Sequence, residues 1–380
     1  MQLEILVHAA RSGWSQPLPR ELDSSGTLVI AFGAPAVGRD DDRSGVLAEL
    51  RDAFPSSHIV GASTAGEIFG TKLLDDSLVV SVVRFDATRL ACASSSIEAS
   101  TSFDAGARLA RALVAQARDI VGVFVLSEGV SVNGSELVRG VNSELPASAI
   151  VTGGLAADGE RFGRTWVLDR GRPAVARVSA VALCGERVRI GHGSKGGWDL
   201  FGLERRVTRS VGNVLYELDD KPALALYKRY LGERAAGLPA TALLFPLAIR
   251  VPGEHKQLVR TVLAVDEATQ SLTFAGDVPE GSLAQLMRAN LDRLVQGASD
   301  AGSAVRIDCR APILSVAISC VGRRMVLGEH AEEELEATLE ALPAGVRQVG
   351  FYSYGELSPF TNGRCDLHNQ TMTLTVVGEA

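Results

Sequence analysis

A chain of 380 residues with a net charge of −7 is too long for one ordinary hydrophobic core, so two domains are expected. Its acidic balance excludes nucleic acid and anionic membranes as partners that charge alone would attract. Five dispersed cysteines without a Cys-x-x-Cys pair exclude a disulfide framework and a zinc site, and fit a reducing compartment.

The N-terminus, MQLEILVHAARSGWSQ, has no basic stretch leading into an apolar one. No apolar run is long enough to span a bilayer, so the expectation is a cytoplasmic protein with no membrane insertion. A first unit follows: TLVIAFG as a strand, then an amphipathic helix with Val46, Leu47, Leu50 and Phe54 on one face, with Ser44 as its N-cap. SHIVGASTAGEIFG and DDSLVVSVVRF complete it as strands. A second unit repeats the pattern in IVGVFVLS, NGSELVRGVNSEL, SAIVTGGLAADGE and ARVSAVALCG, and a third in ILSVAISC, HAEEELEATLEAL, RQVGFYSYGELSP and HNQTMTLTVV. Between the second and third units, KPALALYKRYLG reads as a helix with Leu224, Tyr227 and Leu231 on one side and Gly232 as its stop. ATALLFPLAIRV reads as a strand, residues 258–278 as a hairpin turning at 266–270, and residues 279–302 as one helix with Pro279 near its start. The predicted fold is α/β: two tightly packed domains, 1–215 and 216–380, with mixed sheets built from repeated βαββ units.

In each unit the second strand ends in Gly-x4-Gly-Glu: Gly61/Gly66/Glu67, Gly154/Gly159/Glu160 and Gly350/Gly355/Glu356. The glycines permit tight turns. Such strand ends also favour a ligand crevice, because loops and free backbone N–H groups meet there. The pattern is no P-loop, since no Lys-Ser/Thr follows, and no Gly-x-Gly-x-x-Gly dinucleotide fingerprint is present. GASTAGE lacks the Gly-x-Ser-x-Gly spacing of a hydrolase elbow. A hydrolase using Ser63 with His368 and Glu67 in the same cleft stands as an alternative function.

Taken together, VGASTAGEI (60–68), VTGGLAADGERF (151–162), VTRSVGNVLYELDDKPALALYKRYLG (207–232), SCVGRRMVLG (319–328), GFYSYGEL (350–357) and LHNQTMT (367–373) resemble the FIST sensory domain family, in its N-terminal and C-terminal parts. The loop IGHGSKGGWDLFG (190–202) departs from the pattern by lacking a proline. The resemblance implies a signal-input protein and not an enzyme. It would bind a small molecule, with amino acids proposed, and pass occupancy to a histidine kinase or a cyclic-di-GMP signalling protein. Members resembling this chain bind haem and report nitric oxide. With no output domain after the last strand, a stand-alone sensor is expected.

The residues proposed to contact ligand are Ser63, Thr64, Gly66 and Glu67 in the first turn and Gly153 and Gly154 in the second. The third unit contributes Arg323, Arg324, Tyr352, Tyr354, Glu356, His368 and Asn369. Arginine can hold a carboxylate with two parallel bonds, and a glutamate can take an ammonium group or simply bond turn amides. Tyr352 and Tyr354, two apart on a strand, would share a face. His368 either bonds a neighbouring carbonyl or, if haem binds, serves as its axial ligand, with His192 as the other candidate.

Overall fold

The computed structural model describes residues 1–39, 45–253, 257–360 and 363–380. Unit one comprises β1 (Thr27–Gly33), α1 (Val46–Ala53), β2 (His58–Ser63), the hairpin β3/β4 (Glu67–Phe69, Lys72–Leu74) and β5 (Ser77–Arg84). Unit two comprises β6 (Ile120–Ser127), α2 (Gly134–Glu144), β7 (Ile150–Leu155), the hairpin β8/β9 (Val167–Asp169, Arg172–Ala174) and β10 (Arg177–Cys184). Unit three comprises β11 (Ile313–Cys320), α3 (Val321–Leu327), α4 (Ala331–Glu340), β12 (Val346–Ser353), the hairpin β13/β14 (Gly355–Pro359, Cys365–His368) and β15 (Met372–Glu379). Before each unit runs a leading strand: Gln2–Ala9, Arg89–Ser96 or Val188–Lys195.

Within every unit the first two strands are parallel, as the intervening helix requires, and the third lies antiparallel beside the first. The hairpins do not stay at home. β3 pairs with β12, β8 with β2, and β13 with β7. Three sheets therefore share one strand order, hairpin–second–first–third–leading, and each is completed by a hairpin from another unit. The exchange is cyclic, so the units form a pseudo-threefold ring. Its centre is apolar: Phe32, Phe124, Leu126, Val181, Ile318 and Phe351 belong to one buried cluster drawn from all three sheets. The Phe32 and Phe351 ring centroids are 4.6 Å apart. The architecture is thus α/β, with mixed sheets built from repeated βαββ units and tightly packed parts joined by shared strand pairings.

Local chemistry accounts for the helices. α1 buries Leu47 and Leu50 as the spacing predicts, Phe54 is buried just past its end, and Val46 is half-buried; the N-cap is Gly45, and Ser44, proposed for that role, lies outside the described residues. Asn133 caps α2, its side chain accepting from the Ser135 and Glu136 amides.

One insertion interrupts the third unit, between its leading strand and the helix Leu291–Ala304. It forms its own sheet around Val207, Leu224, Tyr227, Leu272 and Leu286. The helix Ala223–Leu231 ends at Gly232, as expected, with φ 59. Two expectations fail here. Residues 279–302 are not one helix: Leu283–Arg288 is a strand whose Ala284 and Leu286 are buried, and the helix starts only at Leu291, where Asn290 caps the Arg293 amide. Period-2 burial and a cap override the helical reading. ATALLFPLAIRV opens as a 3₁₀ turn, Ala240–Leu244, and only Leu247–Arg250 is strand, since Pro246 has no N–H to give to a ladder.

The first glycine of each turn has a packing reason. A Cβ at Gly61, Gly153 or Gly350 would lie 2.0, 1.8 or 1.8 Å from the carbonyl oxygen of Ala31, Val125 or Ala317 on the adjacent parallel strand. Each of these residues is the registered partner of its glycine. The middle repeat is therefore aligned by Gly153, and the Gly154/Gly159/Glu160 alignment is one residue out of step.

Candidate functional site

The ends of β2, β7 and β12 converge around the pseudo-threefold axis. Three equivalent backbone hydrogen bonds link them: Ala65 N to Tyr352 O at 2.8 Å, Ala157 N to Ser63 O at 2.9 Å, and Tyr354 N to Leu155 O at 3.3 Å. Donor and acceptor lie four and two residues beyond the shared glycine in every case.

Two of the three turns carry the same carboxylate cage. Glu67 accepts from the Ser77 amide at 3.1 Å, the Ser77 hydroxyl at 2.6 Å and the Thr64 hydroxyl. Glu356 accepts from the Thr371 amide at 3.2 Å, the Thr371 hydroxyl at 2.9 Å and the Ser353 hydroxyl at 2.7 Å. Both side chains are buried. Desolvation pushes Glu67 up to about 7 and Glu356 up to about 8, against the pull of these donors. At the matching places the second turn has Ala156, Gly159 and Arg177, so it carries no such cage.

The remaining axial residues also hold one another. Ser63 accepts from the Trp166 amide at 3.0 Å. Arg323 is fully buried and pairs with Glu334 at 2.6 Å, and the Tyr352 and Ser319 hydroxyls both donate to the same carboxylate at 2.8 Å. Arg324 pairs with Asp75 at 2.7 Å and donates to the Ala65 carbonyl. Its guanidinium fills the space a side chain at Gly66 would need. Tyr354 donates to Asp158, which also accepts from the Gly163 and Arg164 amides at 3.0 and 2.9 Å, and its ring stacks on Phe162 at 4.7 Å. Tyr354 lies beyond the end of β12, so the two tyrosines do not share a strand face: Tyr352 bonds into unit three and Tyr354 into unit two. Gly154 sits on β7 opposite Glu356. Eleven of the thirteen proposed ligand residues thus meet in one region, and their polar side chains have partners inside the protein.

His368 and Asn369 border this cluster, with His368 opposite Glu356 on the paired strands, and they also form part of the wall of an open groove of about 830 Å³. It runs between the hairpin β13/β14, the leading strand Val188–Lys195 and the inserted sheet. His192, Lys195, Trp198 and Met287 form other parts of its lining. Burial lowers the His192 pKa, keeping the ring neutral near pH 7. His368 Nε2 lies 3.0 Å from the Ser358 carbonyl, and its ring packs on Phe360 with centroids 4.3 Å apart. Asn369 is buried. It donates through Nδ2 to the Tyr354 carbonyl at 3.2 Å, and its Oδ1 has no hydrogen-bond partner among the described residues. The next residue, Gln370, takes φ 63 and donates to the Leu243 carbonyl at 2.9 Å and the Thr261 hydroxyl at 3.1 Å, both in the insertion. Its carbonyl accepts from Trp198 Nε1 at 3.1 Å. The segment 368–371 therefore touches the groove, the insertion and the Glu356 cage at once.

Sequence reasoning missed Lys195, Trp198 and Met287. The signal was present in the Gly-rich run GHGSKGGW: Cβ atoms at Gly193 and Gly197 would lie 2.0 and 2.2 Å from the carbonyls of Ala301 and Arg293, so the helix Leu291–Ala304 packs directly on this loop and fixes the groove edge. Among the described residues no group of three or more His, Cys, Asp or Glu is placed to hold a metal ion, and no helix is long and apolar enough to cross a membrane.

A curated relative, an uncharacterized protein of Methanocaldococcus jannaschii, is 24% identical over 352 residues, covering 81% of this chain and 65% of its own length. The chain thus spans about 65% of that relative. Among solved structures, cyanuric acid hydrolase from A. caulinodans superposes with a TM-score of 0.39 at 10% identity over 99% of both chains. A chorismatase gives 0.37 at 9% identity over 99% of this chain and 98% of its own. Both likenesses are too distant to bear on the chemistry. The family model of the FIST N domain matches residues 27–221 and that of the FIST C domain matches residues 223–359. Together these matches take in most of the chain, which belongs to the FIST family of sensory, small-ligand-binding domains.

Proposed function

We propose that this protein is a cytoplasmic signal-input module whose ligand binds in the groove beside Asn369, while the axial cluster serves as its frame. The observation that carries this reading is the Asn369 side chain: a buried amide oxygen with no partner, in the wall of a groove of about 830 Å³. A buried acceptor left unpaired costs about 1–3 kcal/mol, and a ligand N–H would recover that cost once the Asn369 amide turns out toward the groove. Lys195 supplies an exposed ammonium, and Trp198 and Met287 supply apolar wall. An amino acid matches this set, with its carboxylate toward Lys195 and its ammonium toward Asn369. Occupancy would reach the insertion through Gln370, and a histidine kinase or cyclic-di-GMP protein would read the change. To signal, the ligand must favour one of two conformations. Calorimetry with an amino-acid panel tests the reading. Binding that disappears in Asn369→Leu supports it, and a folded protein that binds none of the panel removes it.

A second reading places haem in the same groove as a nitric oxide receptor. The observation in its favour is that two imidazoles, His192 and His368, line that groove. His192 has the neutral ring an iron ligand needs. His368 already has Nε2 at the Ser358 carbonyl, so His192 is the better placed of the two. Bound haem would supply an iron that takes nitric oxide. Haem-supplemented protein should then show a Soret band that shifts with nitric oxide and is lost in His192→Ala; a colourless wild type rules this reading out.

A further inference from the structure

We propose that the ring carries a second ligand site, the counterpart of the first groove, which takes a small organic anion with an apolar body. Strand register establishes the correspondence. Ala93 pairs with Ala180, which pairs with Val125; Gly193 pairs with Leu374, which pairs with Ala317. Val125 and Ala317 are themselves equivalent, each facing the shared glycine of its unit. Ala93 thus stands where Gly193 stands, and Cys92 and Ser94 stand where His192 and Ser194 stand. The facing wall is again the hairpin of the same unit, β8/β9 in place of β13/β14. Between them lies a cavity of about 510 Å³. Repetition of the unit therefore yields two grooves of one design with different linings.

The second lining selects by charge. Its acid, Asp169, is already occupied: it accepts from the Ser94 hydroxyl at 2.8 Å and lies 3.5 Å from Arg177 Nε. Its imidazole, His58, has its pKa lowered by burial and is neutral near pH 7. Burial pushes the Cys92 thiol up to about 12, so no thiolate forms there. Gln116 has its amide nitrogen on the Cys92 and Ala112 carbonyls, both at 3.0 Å. Against these, Arg170 is exposed at the rim and makes no ion pair among the described residues, and Arg51 contributes a second guanidinium, donating to the Gly171 carbonyl at 3.2 Å. Among the described residues the lining thus holds two guanidiniums and one carboxylate, and of these Arg170 is the group that faces solvent. Phe54, Ile59 and Val60 supply the apolar wall. A carboxylate and a phosphate monoester share the chemistry this wall recognises.

The inference rests on this groove alone and not on the site beside Asn369. Phenyl phosphate and phenylacetate are the probes, titrated by calorimetry into the full chain. Saturable binding of either is expected, weakened about tenfold or more by Arg170→Gly, largely kept by Arg170→Lys and unchanged by Asn369→Leu. Arg170 has φ 52, a conformation glycine accepts, so Arg170→Gly should unfold at the wild-type temperature. Binding of the phosphate alone identifies a phosphoryl ligand, and binding of the phenylacetate alone a carboxylate. The proposal is overturned if neither probe saturates, if Arg170→Gly binds as the wild type does, or if inorganic phosphate binds as tightly as phenyl phosphate.

Discussion

The axial cluster and the groove beside Asn369 lie back to back on the residues 354–371, yet they are built on opposite terms. At the axis every named polar side chain is answered from within: Glu67 and Glu356 by hydroxyls and amides, Arg323 by Glu334, Tyr354 by Asp158. In the groove wall Asn369 keeps an acceptor with no partner among the described residues, and Lys195 stands exposed. Buried polar groups that are mutually satisfied hold one geometry; groups left open are where a ligand can add something. Clustering of polar residues in the sequence therefore pointed to side chains that bond one another more strongly than to an open acceptor.

The contrast breaks most visibly at Arg323. Arg323→Met leaves Glu334 charged and buried without its partner, and should lower unfolding stability by about 3–5 kcal/mol, read as a fall in the urea midpoint. Adding Glu334→Leu should restore only part of this, because the Tyr352 and Ser319 hydroxyls then lose their acceptor. A small effect of Arg323→Met would mean that the axial cluster is not a frame.

Next in size is the pH dependence of the two cages. Their folded pKa values lie above the ordinary carboxylate range, so the folded state holds protons that the unfolded state releases. Stability from this source is full below the unfolded carboxylate range and is lost as pH rises through about 7 for Glu67 and about 8 for Glu356. Unfolding curves between pH 5 and 9 should show a loss on the order of a few kcal/mol. Glu356→Gln should flatten the upper part of that fall and Glu67→Gln the lower. An unchanged slope in both variants would show the carboxylates to be hydrated. Tyr354→Phe comes third: it keeps the stack on Phe162 and removes one donor from Asp158, for a loss of about 1–3 kcal/mol.

Much of the ring was legible in the sequence, and the reason is periodicity. Three βαββ units announce themselves through strand alternation, α1 through Leu47, Leu50 and Phe54, and the axial convergence through Gly61 and Gly350. What was not legible is pairing at long range. Nothing local says that β8 leaves its unit to pair with β2, or that Arg323 on α3 finds Glu334 on α4. The one-residue slip at Gly154 has the same origin, because only the register with Val125 identifies Gly153 as the glycine the strands require. His368 and Asn369 were visible as polar residues ahead of a strand and were read together with the tyrosines, and Asn369 does bond the Tyr354 carbonyl. What the sequence did not show is that the same two residues also border a groove whose opposite edge is residues 192–198.

The smallest expected change in stability is also the sharpest test of the comparison. Asn369→Leu removes one hydrogen bond, to the Tyr354 carbonyl, and with it the unpartnered oxygen. The first loss leaves the Tyr354 carbonyl unpaired at about 1–3 kcal/mol and the second change recovers a similar amount, since an apolar group of like size has no buried acceptor to leave unpaired. Stability should stay within about 1 kcal/mol of the wild type, while amino-acid binding falls by tenfold or more. Asn369→Asp separates the two ligand polarities. A carboxylate at that position should hold an ammonium at least as well as the amide does, and should repel an anion. If Asn369→Leu instead unfolds the protein as readily as Arg323→Met, the amide belongs to the frame and the groove loses its anchor.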